Sequence, residues 1–361
     1  MKMTSSTETI PGTGKRAKIK AQYKKFIGRK IIFILFCLVL IFIIAGVAAT
    51  LGSFPITIAE VYTIIWQGLL QNPETTKEVV VWNLRLPRIF MAILAGAGLA
   101  IAGTMMQGIL RNPLASPFTL GISASAGFGA VIAIILGAGF ITGEYLVVVN
   151  AFVFSLIPTF VILGLSRYKR ATPETMILAG IAMMYVFSAL TQLINYFAEA
   201  EALKEAYFWM VGSLGRASWE DILPVTIVLV MCTIPLMWKS WDVNVMGAGD
   251  ERAKSLGVNV TRTRIVIMII SSLLTAGIVC FTGTIGFVGL VAPHICRMII
   301  GGDVRFLIPA SGLFGAAFLL ACDLIARTII APIILPVGIV TAVVGGPFLF
   351  FLLLRRRKEY W

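Results

Sequence analysis

The chain has 361 residues, of which 58% are hydrophobic and 13% charged, with a mean hydropathy of +0.94. A globular average is about 25% charged, so a soluble protein of this length is excluded. The formal net charge of +13 does not point to nucleic acid. Lys and Arg cluster in short segments between apolar runs, the pattern that orients a polytopic membrane protein.

Residues 1–30 form a polar, then basic tail containing Lys24, Lys25, Arg29 and Lys30, and the apolar run 31–49 follows. A cleaved signal peptide carries a shorter apolar region, so this run predicts a retained first span with its tail in the cytoplasm. An outer segment, 52–84, has the pattern of a short surface helix within 55–70. Spans two and three are expected near 89–110 and 118–137, joined inside by 111–117, which holds Arg111, Pro113 and Pro117. Span four, 145–165, ends at the basic cluster Arg167, Lys169 and Arg170. Span five, 175–197, leads to an acidic outer loop with Glu199, Glu201, Glu205, Glu220 and Asp221.

Span six, 222–238, opens into the long charged interior segment 239–264, and spans seven to ten follow near 265–285, 286–299, 306–326 and 334–354. The last closes on Arg355, Arg356, Arg357 and Lys358. Ten spans return the C-terminus to the side of the basic N-terminal tail. The expectation is an all-α membrane protein with one ten-helix domain, 31–354, and cytoplasmic tails 1–30 and 355–361.

Gly96, Ala100, Gly103, Gly121, Ser125 and Gly129 recur at close helical spacing. Small residues let helices approach in lipid; they suit a packing seam or the wall of a substrate path. The stretch 95–103 followed by Asn112-Pro113 has a faint echo in 275–286 followed by Ala292-Pro293, in the opposite direction, as in an inverted repeat.

Little in the chain suggests covalent chemistry. The five Cys are scattered without metal-ligand spacing, His294 is the lone histidine, and no Gly-rich loop ending in Gly-Lys-Ser/Thr occurs to cradle a triphosphate. Asp323 and Arg327 are four apart and can pair along one helix face. Carboxylates are nearly absent from the middle of the spans, where an ion-driven carrier places them. Energy must therefore come from a partner, or the chain is a passive channel or scaffold. Within the interior segment, residues 250–256 suit a short amphipathic helix with Asp250 and Glu251 at its positive end, Ala253 and Leu256 facing one way, and Gly257 as its stop. Such a helix is either a partner contact or a plain connector.

Several motifs occur in order: Arg85-Leu86-Pro87-Arg88; Arg111-Asn112-Pro113-Leu114-Ala115 with Pro117 and Leu120-Gly121; Leu178-Ala179-Gly180; Ala253 to Gly257; Gly283 to His294 with Arg297; Asp323 with Ala326-Arg327; and Leu335 to Phe348. With these the chain resembles the FecCD/BtuC-like permeases of binding-protein-dependent ABC importers for iron-siderophore complexes, haem and cobalamin. The resemblance implies a ten-helix permease without enzymatic activity or bound cofactor. It pairs with a second copy or close homologue, two cytoplasmic ATPase subunits that use ATP, and an external substrate-binding protein.

By the same resemblance, Arg85, Arg88 and Arg327 dock the binding protein on the outer face. Asn112 and Leu114, with Thr172, Pro173 and Glu174, form the inner gate. Asp250, Glu251, Arg252, Ala253, Leu256 and Gly257 receive the ATPase stroke. Pro113, Pro293, His294, Arg297 and Asp323 are structural or path residues. Iron-chelate uptake is the first expectation for cargo, with corrinoid, haem or molybdate as alternatives. An ion-coupled carrier and a non-transporting scaffold are the competing functions.

Overall fold

The computed structural model describes residues 13–52, 54, 56–68, 73–168 and 172–354, and the side chains of 13–25, 166–168, 352 and 353 lie outside the description. Residues 1–12 of the expected N-terminal tail, Lys169 and Arg170 of the cluster after span four, and the C-terminal tail 355–361 therefore lie outside the described residues. The described chain is helical throughout. It runs α1 (Thr13–Thr50), α2 (Ile58–Gln67), α3 (Thr76–Val79), a π-helical turn (Val80–Arg85), α4 (Leu86–Leu110) and α5 (Ile122–Leu136). Next come α6 (Leu146–Tyr168), α7 (Pro173–Tyr196), α8 (Ala200–Val211), α9 (Trp219–Trp238), α10 (Ser240–Met246) and α11 (Asp250–Ser255). The bundle closes with α12 (Val260–Thr282), α13 (Val288–Ile300), α14 (Val304–Thr328) and α15 (Val337–Leu354).

The expectation of ten spans is corrected to seven. Among the described residues, seven helices are long and apolar enough to cross a membrane: Phe26–Thr50, Thr76–Leu110, Leu146–Leu165, Pro173–Tyr196, Trp219–Trp238, Val260–Thr282 and Val304–Thr328. The stretches expected as spans three, eight and ten form shorter apolar helices, Ile122–Leu136, Val288–Ile300 and Val337–Phe351. At a rise of 1.5 Å per residue, a 15-residue helix such as α5 covers roughly 22 Å, short of a hydrocarbon core of roughly 30 Å. The apolar runs were read at their full length, but turns consume their ends. Residues 112–121 make a series of tight turns before α5 begins, and the irregular segment 283–287 precedes α13.

Helix α4 is the core of the bundle, buried along almost its whole length and packed against α14, α12, α13 and α9. Its small residues decide which neighbours can come close. Gly96 lies against the backbone of Gly315 in α14, and Gly103 against that of Gly289 in α13, so closely that a β-carbon at either site would overlap the facing peptide. Gly121, with φ of +79°, sits 3.0 Å from the Gly180 carbonyl of α7 as measured from its absent β-carbon. Only glycine adopts this left-handed backbone without strain. Gly129 meets the backbone of Asn150, Ala100 packs against Gly315, and the Ser125 hydroxyl donates to Gly121 O. Packing thus accounts for the small-residue seam.

Within 52–84 the short helix expected in 55–70 is present as α2, whereas α3 and the π-helical turn extend the second span back to Thr76. Thr57 and Glu60 form a capping box at the start of α2, and Ser218 with Asp221 does the same for α9. Two of the acidic residues expected in a loop, Glu220 and Asp221, thus occupy the first turn of α9, where carboxylates favour the helix dipole. The rest of that loop contains α8, which sequence periodicity had not indicated.

Candidate functional sites at the two ends of the bundle

Expected site residues gather at two charged clusters joined by α14. Asp303 caps the start of this helix and Asp323 lies near its end, a separation of roughly 30 Å for twenty helical residues.

At the far end, the Asp323 carboxylate is fully buried between two guanidinium groups. Arg88 Nε donates to Oδ1 at 2.9 Å and Oδ2 at 3.1 Å, and Arg327 Nε lies 3.1 Å from Oδ2. The anticipated Asp323–Arg327 helix-face pair is present and gains Arg88 from α4. Arg327 also donates to the Ala48 carbonyl at 3.3 Å, and Arg85 donates to Ala49 O at 2.7 Å, Thr50 O at 3.0 Å and Phe54 O at 2.7 Å. Carbonyls at the C-terminal end of a helix lack intrahelical donors; here two arginines supply them to α1. All three arginines expected to dock a partner are buried, and each makes hydrogen bonds inside the chain.

At the near end, α10 and α11 lie across the start of the bundle. Asp250, the first residue of α11, accepts from Arg264 Nη2 at 3.2 and 3.1 Å and lies 3.4 Å from Arg111 Nη2. Arg264 is buried at the start of α12 and also donates to Ile109 O at 3.1 Å. The expected coupling residue is therefore wired through two arginines to the loop after α4. In that loop Asn112 Oδ1 accepts from Leu114 N at 2.9 Å, closing a small turn that includes Pro113, and Leu114 is exposed. Across from it, Thr172 caps α7, Pro173 opens it, and Glu174 sits in its first turn within the field of Arg111 and Arg264. The end of the first loop packs on α7 itself, where a β-carbon on Gly180 would lie 2.7 Å from Leu120 Cα.

Helix α11 departs in one respect from its sequence pattern. Ala253 is fully buried, whereas Leu256 is 71% exposed, so the two do not share a face. The helix ends at Ser255, and Gly257, with φ of +87°, turns the chain so that Leu256 faces outward. Glu251 is also exposed and pairs with Lys254 at 2.8 Å, and Arg252 is exposed beside it.

A second near-end junction was missed by sequence reasoning. Asp303 lies 3.3 Å from Lys30 of α1, accepts from Asn244 of α10 at 2.9 Å, and from Arg305 at 2.9 and 2.7 Å. Asn244 Oδ1 in turn accepts from Val304 N at 2.8 Å. The Asp303 carboxyl is partly desolvated, which raises its pKa. The hydrogen bonds from Arg305 and Asn244 and the nearby Lys30 charge outweigh that and hold it far below the usual carboxylate range. The only signal in the sequence was an acid directly before an apolar helix, an N-cap pattern.

Of the remaining expected residues, Pro293 and Arg297 are buried in α13 and His294 is half-buried there. Arg297 Nη2 reaches Gln107 Oε1 of α4 at 3.4 Å. No group of three or more His, Cys, Asp or Glu is placed to hold a metal ion among the described residues.

The FecCD transport family profile matches residues 36–355. A chain named as an ABC transporter permease protein in Methanocaldococcus jannaschii is 48% identical over 94% of this chain and 99% of its own length. The hemin transport system permease protein of Yersinia pestis is 36% identical over 90% of this chain and 96% of its own. Among solved structures, a metal-chelate type ABC transporter in an inward-facing conformation superposes with a TM-score of 0.78 at 30% identity, covering 90% of this chain and 99% of that one. The chain belongs to the FecCD transport family, as a membrane-embedded permease subunit of an ABC importer that carries out no catalysis of its own and leaves ATP hydrolysis to a separate partner.

Proposed function

We propose that this permease passes an iron chelate inward through the cell membrane, as one of two copies or near-copies served by two ATPase subunits and an external binding protein. A metal held inside an organic ligand is common to the hemin relative and the metal-chelate type transporter, which supports a chelate cargo over molybdate.

The near end is the cytoplasmic one. It gathers Lys30, Arg111, Lys239, Arg252, Lys254, Arg262, Arg264 and Arg305, and an excess of Lys and Arg marks the inner side. This assignment rests on side-chain clustering and does not depend on the number of spans. The observation that carries the coupling role is the exposure of Glu251 and Leu256 on α11 together with the tie from Asp250 to Arg111. The surface of α11 seats the ATPase subunit, and Asp250 passes its displacement through Arg111 and Arg264 to the loop of Asn112 and Leu114. Thr172, Pro173 and Glu174 form the facing half of that inner gate. At the far end, Arg85, Arg88 and Arg327 act in docking as positioning residues. They fix α1, α4 and α14 into a firm outer surface for the binding protein.

The test is ATP-driven uptake of labelled iron(III) chelates into proteoliposomes containing the assembled importer. Uptake should require ATP and the binding protein and should ignore an imposed proton or sodium gradient. Gradient-driven uptake without ATP would overturn the proposal.

A further inference from the structure

Two helices carry a continuous exposed apolar stripe. On α1 it is Ile32, Phe36, Val39 and Ile43, and on α9 it is Leu223, Ile227, Val230 and Ile234, at helical spacings of three and four. Apolar residues left exposed along a membrane-spanning helix face lipid. Both stripes change character where they reach the near end of the bundle. One turn before Ile32 the α1 stripe arrives at the exposed Arg29. One turn after Ile234 the α9 stripe arrives at Trp238, 78% exposed, and Trp241 follows at 60%. Tryptophan and basic side chains are the residues that the headgroup layer of a bilayer favours.

The start of α14 lies between these two helix ends, packed against both α1 and α10. A chain of charge and ring contacts joins them. Arg29 Cζ is 5.9 Å and Lys30 Nζ 4.5 Å from the centre of the Phe26 ring. Lys30 Nζ is 4.4 Å from the centre of Phe306, and Arg305 Cζ is 4.0 Å from that of Trp241. Ring faces attract cations so placed. Lys30 is buried, and it shares a single carboxylate, Asp303, with Arg305. Arg29 meets no carboxylate among the described residues, and its contact is the Phe26 ring. Three cations therefore gather around one acid. The backbone of α1 continues as helix to Thr13, past Lys15, Arg16, Lys18, Lys20, Lys24 and Lys25, without an acidic residue. The 38 residues of α1 cover roughly 57 Å, more than the 40–45 Å or so of a bilayer with its headgroups, so its basic end passes through the headgroup layer.

We propose that this rim binds the phosphodiester headgroup of an anionic phospholipid. Arg29 supplies the guanidinium for the phosphate, Lys30 and Arg305 supply the surrounding positive field, and Phe26, Trp238 and Trp241 lie against the glycerol and the first carbons of the chains. A guanidinium meets two phosphate oxygens at once, and basic pockets between membrane helices take acidic lipid headgroups. Continuity with two lipid-facing stripes favours a lipid over a soluble partner. The proposal stands on the membrane-spanning fold and is independent of the cargo. It also reaches the motor end of the molecule. Asp303, which holds Lys30 and Arg305, accepts from Asn244 of α10, so a headgroup bound here steadies the segment that leads into α11.

The experiment titrates the assembled importer in detergent with phosphatidylglycerol, phosphatidylcholine or soluble glycerol phosphate, and counts bound lipid by native mass spectrometry. Phosphatidylglycerol should be retained in preference to phosphatidylcholine, and glycerol phosphate, which lacks chains, should not displace it at equal concentration. Arg29→Gln should weaken phosphatidylglycerol binding roughly tenfold, the loss expected for one charge-assisted contact at the membrane surface. Trp238→Leu should weaken it to a lesser degree. Arg262→Gln, which removes an exposed cation from the start of α12, should leave it unchanged. Arg29 and Trp238 are exposed, so both variants should melt with the parent when no lipid is added, and phosphatidylglycerol should raise the melting temperature of the parent more than that of Arg29→Gln. Equal retention of the two lipids, or Arg29→Gln binding phosphatidylglycerol as tightly as Arg262→Gln does, would overturn the site. Displacement by glycerol phosphate would assign the rim to free phosphate esters and overturn the lipid. Loss of the ATPase subunits from Arg29→Gln with lipid binding intact would overturn it in favour of a protein contact.

Discussion

The two charged clusters use the same chemistry for opposite ends. In the Arg88–Asp323–Arg327 group the charges are buried and bound to one another or to helix-end carbonyls. In the Arg111–Asp250–Arg264 group only Arg264 is buried, and Asp250 lies at the rim of the exposed helix α11. Breaking a buried pair strands a charge in a low-dielectric interior, whereas a rim pair is screened and easily exchanged with water. On the coupling role proposed above, the far cluster is a fixed joint and the near cluster a movable one.

Asp323→Ala should sharpen that contrast most. It leaves two buried guanidinium groups without their carboxylate and should destabilise the protein by about 3–5 kcal/mol, read as a lowered unfolding temperature in detergent or loss of folded yield. A variant as stable as the parent would show that the far cluster is not a joint at all. Next in size is Gly103→Val, which forces a branched side chain into the Gly289 backbone. It should cost at least about 1–3 kcal/mol, while the same change at Gly164, which faces open space, should cost far less in the same melting assay.

Asp250→Asn should behave differently, with little change in melting temperature and transport per ATP hydrolysed falling roughly tenfold, as for loss of an interaction of about 1.4 kcal/mol. Tight coupling in this variant would break the movable-joint reading. Asp303 tests the strut between the two. Its folded pKa is depressed, so its stabilising contribution is complete above the unfolded carboxylate value of about 3.9 and is lost as pH falls through the lower folded value. The stability gap between the parent and Asp303→Asn should therefore be constant near neutrality and close only in strong acid. The smallest effect belongs to Lys77→Ala. It removes an exposed pair with Glu60 and should leave uptake unchanged at physiological salt, since such pairs are screened.

The sequence made much of this molecule legible, and its limits are specific. Apolar length located helices such as 146–168 and 260–282 to within about five residues, because they are bounded by turns or charges, but it missed the early starts of α1 at Thr13 and of the second span at Thr76. It overcounted where Pro and Gly in 113–121 and 283–286 spend apolar residues on turns. Hydrophobicity alone cannot separate a crossing helix from an apolar loop leading into a short one. The Asp323–Arg327 pair was visible because it lies within one helix. Its third member, Arg88, is 235 positions away, and no local pattern reveals such a partner. The same holds for Lys30 and Asn244 around Asp303. The facing of Leu256 was misread because the pattern assumed that α11 continued to it, whereas the helix stops at Ser255.

Helix α11 has six residues, far fewer than the roughly 12–15 that an isolated helix needs to persist in water. Its shape is on loan from the bundle, through the buried Ala253 and the bonds of Asp250 to α12 and the α4 loop. An ATPase that recognises this contour would find it only on a permease whose distant segments have already come together, so recruitment of the motor would double as an inspection of the finished membrane part.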